Sequence, residues 1–292
     1  MNRAGPRGAL ILLVLSLVWF AAMLWSAQAN ITGTGTAQGA LIQLSDALPV
    51  VVAASVLAGT AAGLAALGWR PVRAALRWPV AMGVGATPAA VAAVLIIWGY
   101  GSRSAILLIA TAVLVAGTLG GALGAVRPGE LVAAGVAGTL AAFFVAFALR
   151  VFENQLLGLF GAGTTPGSQL TAASRLALTT SLLGAAAAGL VAFWYLRRTG
   201  PERRFPVYLV AGAFPGVLLL LAEAVTLIGG AQVFHAVSGL SSADRAIVDY
   251  VGNSRLNHAL ILLFVGALVA LLCLGRTLRP AEPAKADRTT VS

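Results

Sequence analysis

Charge is what this sequence has least of. Only 10% of its 292 residues are Asp, Glu, Lys or Arg, against about 25% in an ordinary soluble domain. So few charges cannot clothe a water-facing surface. Acidic residues number nine, and Lys285 is the one lysine. The single cysteine, Cys273, excludes an intrachain disulfide, and with two histidines no Cys/His zinc pattern exists. No metal and no cofactor are expected. The chain also lacks a P-loop, a G-x-S-x-G elbow and an H-E-x-x-H helix. The P-loop's absence excludes self-powering with ATP, and the others remove the commonest hydrolase signatures.

What the sequence has is hydrophobic length. Apolar residues make up 59% of it and the mean hydropathy is +0.93. Eight runs, at 7–28, 48–69, 79–100, 104–126, 131–149, 176–196, 206–228 and 257–275, are each close to the ~20 residues a helix needs to cross hydrocarbon. The expected fold is all-α, a polytopic transmembrane helix bundle of about eight helices over residues 1–278. A disordered tail follows at 279–292, where Pro280, Pro283 and several charges gather. Arg3 and Arg7, an apolar run and Ala27-Gln28-Ala29 resemble a signal peptide. The run exceeds the usual ~7–15-residue core, so an uncleaved first helix is expected.

The net charge of +10 excludes nucleic acid as a partner once its placement is read. Arg3, Arg7, Arg70, Arg73, Arg77, Arg127, Arg197, Arg198, Arg203, Arg204, Arg276, Arg279, Lys285 and Arg288 fall on one side of the bundle. Arg103, Arg150, Arg175, Arg245 and Arg255 fall on the other. The richer side is expected to be cytoplasmic, with both termini there, in a cell (inner or plasma) membrane. The lipid bilayer is the expected partner, with other membrane subunits left open.

Two short patterns recur. Gly33-x-Gly35-Thr36 returns as Gly161-x-Gly163-Thr164, and Gly85-Ala86-x-Pro88 as Gly212-Ala213-x-Pro215. The spacing is compatible with a 4+4 parallel repeat, 1–128 and 129–278. Glycines four apart, Gly59/Gly63 and Gly117/Gly121 with Gly120/Gly124, and Ala185/Gly189 in the sixth run, are the small-residue spacing that lets membrane helices approach closely. Proline removes a backbone donor and kinks or opens a helix. Matched Gly/Pro segments in two halves point to a transport site, which makes Pro88 and Pro215 candidates. In an Ala- and Gly-rich chain, chance or plain ancestry is the competing explanation.

Glu223 is the one carboxylate deep in an apolar run, costly there unless paired or functional. Arg150 and Arg175 are its expected partners, and the three form the candidate substrate or coupling site. Structural pairing at the interface is the alternative for Glu223. Asp46 and the Arg150/Glu153 pair read as interfacial anchors, and His235, Asp249 and His258 as solvated loop residues. Ser241 and Asp244 fit a capping box opening a short surface helix over 242–251. The function classes that remain are three. One is a non-enzymatic small-solute or lipid transporter, or the membrane subunit of a larger complex. Another is a membrane enzyme acting on a lipid-linked substrate at the outer face, and the third is an assembly protein with no substrate.

Overall fold

In the computed structural model, the structure describes residues 6–32, 37–69, 72–100, 104–200, 205–236 and 242–277. These residues are helical almost throughout, with no strand among them. The helices are α1 (Pro6–Thr32), α2 (Ala37–Trp69), α3 (Arg77–Tyr100), α4 (Ser104–Gly124), α5 (Gly129–Val151), α6 (Glu153–Leu159), α7 (Pro166–Thr199), α8 (Phe205–Ala236) and α9 (Ser242–Gly275). All but the short α6 are long and apolar enough to cross a membrane, and they coincide with the eight expected spans. The chain is an all-helical polytopic bundle.

α2, α7, α8 and α9 run 32 to 34 residues, about 48–51 Å at 1.5 Å per residue. That exceeds the ~30 Å hydrocarbon, and each overshoots at the arginine-poor end. The expected surface helix over 242–251 is therefore not a separate element. It is the first part of α9, which runs unbroken through Gly252 because no proline stands between Ser242 and Gly275. Ser241 and residues 33–36 lie outside the described residues. Gly161 ends α6 with φ +86°, the left-handed conformation that glycine adopts without strain. The following Gly163 donates its N–H to Ser168 Oγ, and the Thr165 hydroxyl accepts from Ser168 N to cap α7.

Glycine decides the packing. In α1–α4, a methyl group on Gly63 would stand 2.7 Å from the Gly121 carbonyl oxygen, and one on Gly85 would run into the Gly121 backbone. So α2, α3 and α4 meet backbone to backbone at Gly63, Gly85 and Gly121. In α5–α9, methyl groups on Gly189 and Gly212 would each lie 2.5 Å from the Gly266 carbonyl oxygen. α7, α8 and α9 meet in the same manner. Without a hydrophobic drive between helices in lipid, such close contact is what holds them.

The fourth member of each group is placed differently. α1 packs on α2 as α5 packs on α7, but α5 also packs on α8, whereas α1 lies splayed from α3. Phe214 of α8 sits where a side chain on Gly135 of α5 would be, and Pro215 lies beside Gly138. α8 also packs against α2 and α4 and so joins the two groups, while α3 packs within its own group only. A buried layer that includes Val52, Leu57, Val132, Val136, Leu196, Tyr208 and Leu218 fills the centre.

Candidate functional site

Glu223 lies on α8, two turns short of the arginine-poor end of its span, with its side chain 8% exposed. Its partner is neither Arg150 nor Arg175. It is Arg255, at the start of the apolar part of α9, whose Nε stands 3.6 Å from Glu223 Oε1 and whose side chain is 33% exposed. Neither of these two atoms makes a hydrogen bond, although both are buried. A guanidinium normally meets a carboxylate through two short hydrogen bonds at about 2.8 Å. This pair is held in register without locking.

One helical turn from Arg255, on the same face of α9, is His258. Its Nδ1 is 2.6 Å from Ser181 Oγ of α7, and Ser181 also lies 2.8 Å from the Ala177 carbonyl oxygen. Both contacts are satisfied when the serine hydroxyl donates to Ala177 and accepts from His258 Nδ1–H. That leaves Nε2 as the ring's acceptor. His258 is thus no solvated loop residue. α9 begins far upstream of it and carries it, half-buried, against Ser181 of α7. Three helices so contribute two polar pairs, Glu223–Arg255 and Ser181–His258, joined through α9 as one cluster by the single turn between Arg255 and His258. Ser181 and Arg255 were not among the sequence candidates.

Arg150 is exposed in the last turn of α5, and Arg175 is exposed with Nη1 3.5 Å from the Phe160 carbonyl oxygen. The side chains of Asp46, His235 and Asp249 lie outside the described residues. Pro88 and Pro215 are brought neither to the cluster nor to one another, and α3 and α8 run unbroken through them. In α3 the reason is visible. Pro88 leaves the Val84 carbonyl without its helical donor, and the Thr87 hydroxyl donates to that oxygen at 2.7 Å. A side-chain hydroxyl replacing the lost bond is how lipid-embedded helices tolerate proline.

The glycine contacts give a register between the two groups. Ser55 stands eight residues before Gly63 and Ser181 eight before Gly189. Ile96 follows Gly85 by eleven residues and Glu223 follows Gly212 by eleven. Ala110 and Val113 precede Gly121 by eleven and eight residues, as Arg255 and His258 precede Gly266. The contacts agree with this counting, because Ser55 donates to the Val113 carbonyl at 2.9 Å while Ser181 bonds the His258 ring. Where α7–α9 carry Glu, Arg and His, α2–α4 carry Ile96, Ala110 and Val113, all buried, with Ile96 and Val113 in one apolar cluster with Phe20.

Beside that apolar counterpart lies a groove of about 220 Å³ between α1 and α3, lined by Leu24, Trp25, Gln28, Val51, Ile96 and Ile109 among others. Neither it nor the open hollow at Arg7, Leu10, Ile11 and Trp69 includes Glu223. No three His, Cys, Asp or Glu among the described residues are placed to hold a metal ion. No protein-family model, curated protein or solved structure matches the chain.

Proposed function

We propose that the chain is a membrane transport protein for a small solute or a lipid, built from two copies of a four-helix unit. Its working site is the cluster of Glu223, Arg255, His258 and Ser181. One observation carries the reading. α2–α4 and α7–α9 each meet backbone to backbone at three glycines, and at the positions equally spaced from them α2–α4 carry buried Ile96, Ala110 and Val113. The fold therefore does not require the charges that α7–α9 place there. Buried ion pairs can commonly be replaced by apolar residues with no loss of stability. Ionisable groups within membrane spans are by default functional.

The arginine asymmetry supports a plasma-membrane orientation with both termini cytoplasmic and the cluster at the outer side. Arg150, Arg175, Pro88 and Pro215 then act away from the cluster. Arg150 and Arg175 would attract anions to the outer surface, and the prolines would set helix compliance. A second reading, a membrane subunit of a larger complex, is favoured by the close glycine packing.

The test copies the first unit into the second: Glu223→Ile, Arg255→Ala and His258→Val together. Wild type and variant are reconstituted in liposomes, and uptake of labelled small solutes and movement of labelled lipids are followed. The wild type should move at least one class, and the variant should insert equally and move none. Undiminished flux in the variant would overturn the reading. Flux in neither, with partner proteins lost only from the variant on gentle purification, would favour the subunit.

A further inference from the structure

The chemistry of the cluster narrows what it takes, on the assumption that it is the working site. We infer that Glu223 and Arg255 bind a zwitterion: one molecule bearing an ammonium and, a few bonds away, a carboxylate or phosphate.

The argument is one of charge balance. Glu223 is more than nine-tenths buried and its only charged partner among the described residues is Arg255. A ligand of one sign would have to leave one of them alone. An anion drawing Arg255 away strands a carboxylate in a medium where an isolated charge is strongly disfavoured. A cation drawn to Glu223 releases an arginine whose Nε is buried without a hydrogen bond. A zwitterion exchanges partners in one step, its ammonium going to Glu223 and its anion to Arg255. Two pairs stand where one stood and the net charge stays zero.

The geometry fits such an exchange. The pair is 3.6 Å apart and makes no hydrogen bond, so little directional bonding is broken when it opens. Arg255 is a third exposed and Glu223 is not, so the arginine is the member free to swing toward an incoming anion. A planar guanidinium suits carboxylate and phosphate alike through paired N–H donors. His258 stands one turn along α9 from Arg255, its ring fixed by Ser181.

Two sources carry this chemistry, a free amino acid and the headgroup of an ethanolamine phospholipid. The experiment separates them. Detergent-purified protein is heated with glycine, phosphoethanolamine, ethylammonium or acetate, and the unfolding midpoint is read. In parallel, the midpoint is compared between nanodiscs containing phosphatidylethanolamine and nanodiscs of phosphatidylglycerol alone. Glycine or phosphoethanolamine should raise the midpoint at millimolar concentration, with ethylammonium and acetate inert. Glu223→Gln and Arg255→Gln should each abolish the rise. A free solute is the source if glycine acts and the nanodiscs do not differ, and a lipid is the source if the nanodiscs differ and the difference vanishes in both variants. Stabilisation by ethylammonium or acetate as strong as by the zwitterions, and lost in the variants, would overturn the zwitterion and leave the site standing. No ligand effect of any kind, with flux unchanged in the Ile/Ala/Val triple variant, would overturn both.

Discussion

The two halves of this chain solve one packing problem and then part. α2, α3 and α4 meet at Gly63, Gly85 and Gly121, and α7, α8 and α9 meet at Gly189, Gly212 and Gly266. Around the first junction the side chains are apolar, α1 leans away from α3, and a groove opens between them. Around the second, α5 closes on α8, and Glu223, Arg255, His258 and Ser181 take the matching places. Shared positions show what the fold demands, which is small residues where backbones touch. Positions that differ show what the fold leaves free, and the ionisable groups are there.

The harshest way to break the comparison is at its shared element. Gly121→Val and Gly266→Val each force a branched side chain onto a neighbouring helix backbone, Ala81 and Gly85 in one case and Gly212 in the other. Backbone cannot give way as a flexible side chain can, so each should cost about 3 kcal/mol or more. Unfolding in a mixed-micelle denaturant titration should show both halves similarly weakened. A large loss at Gly121 with none at Gly266 would mean the junctions are not equivalent.

How much of this was legible follows from what kind of signal each feature leaves. The eight spans are written in local hydropathy, so they could be read directly. The Gly85-Ala86-x-Pro88 and Gly212-Ala213-x-Pro215 match was also readable, since both members lie within one helix. Gly266 was not, because α8 and α9 are each longer than α3 and α4, which shifts the count between the paired glycines. The partner of Glu223 was hidden for a related reason. Hydropathy starts the last span near residue 257, which leaves Arg255 looking like a loop residue, whereas α9 starts at Ser242 and carries it inside. Which arginine meets a carboxylate is set by the α8–α9 contact, a tertiary fact with no local trace. Arg150 and Arg175 were nearer to span ends but sit on helix faces turned outward.

A second test separates the charges from the fold. Arg255→Ala alone leaves the Glu223 carboxylate buried without a countercharge. Removing one member of a fully buried pair costs about 3–5 kcal/mol. Arg255 is a third exposed, so about 2 kcal/mol is expected. The triple change Glu223→Ile, Arg255→Ala, His258→Val should instead be neutral or stabilising by about 1 kcal/mol, since apolar replacement removes the stranded charge as well. Thermal unfolding in detergent compares the two. A triple variant less stable than Arg255→Ala would show that the second junction needs its charges.

The smallest expected effect is the most discriminating, because it contrasts two serines at one matched position. Ser55 donates to the carbonyl of Val113, an oxygen that already lies within α4 and accepts a helical bond. Ser55→Ala therefore removes a supplementary bond and leaves no group without a partner, at a cost of about 0.5 kcal/mol. Ser181 holds the His258 ring, and Ser181→Ala leaves the buried Nδ1–H with no acceptor. Orphaning a donor costs more than losing a redundant bond, about 1–2 kcal/mol here. The ring is also released to turn, so the Ser181 change should alter ligand response at Glu223 and Arg255, while the Ser55 change should not. Stability and the zwitterion-induced midpoint shift, measured on both variants, give the answer. Equal small losses with an unchanged shift would make Ser181 and His258 a packing contact like Ser55 and Val113, and would shrink the working site to the ion pair alone.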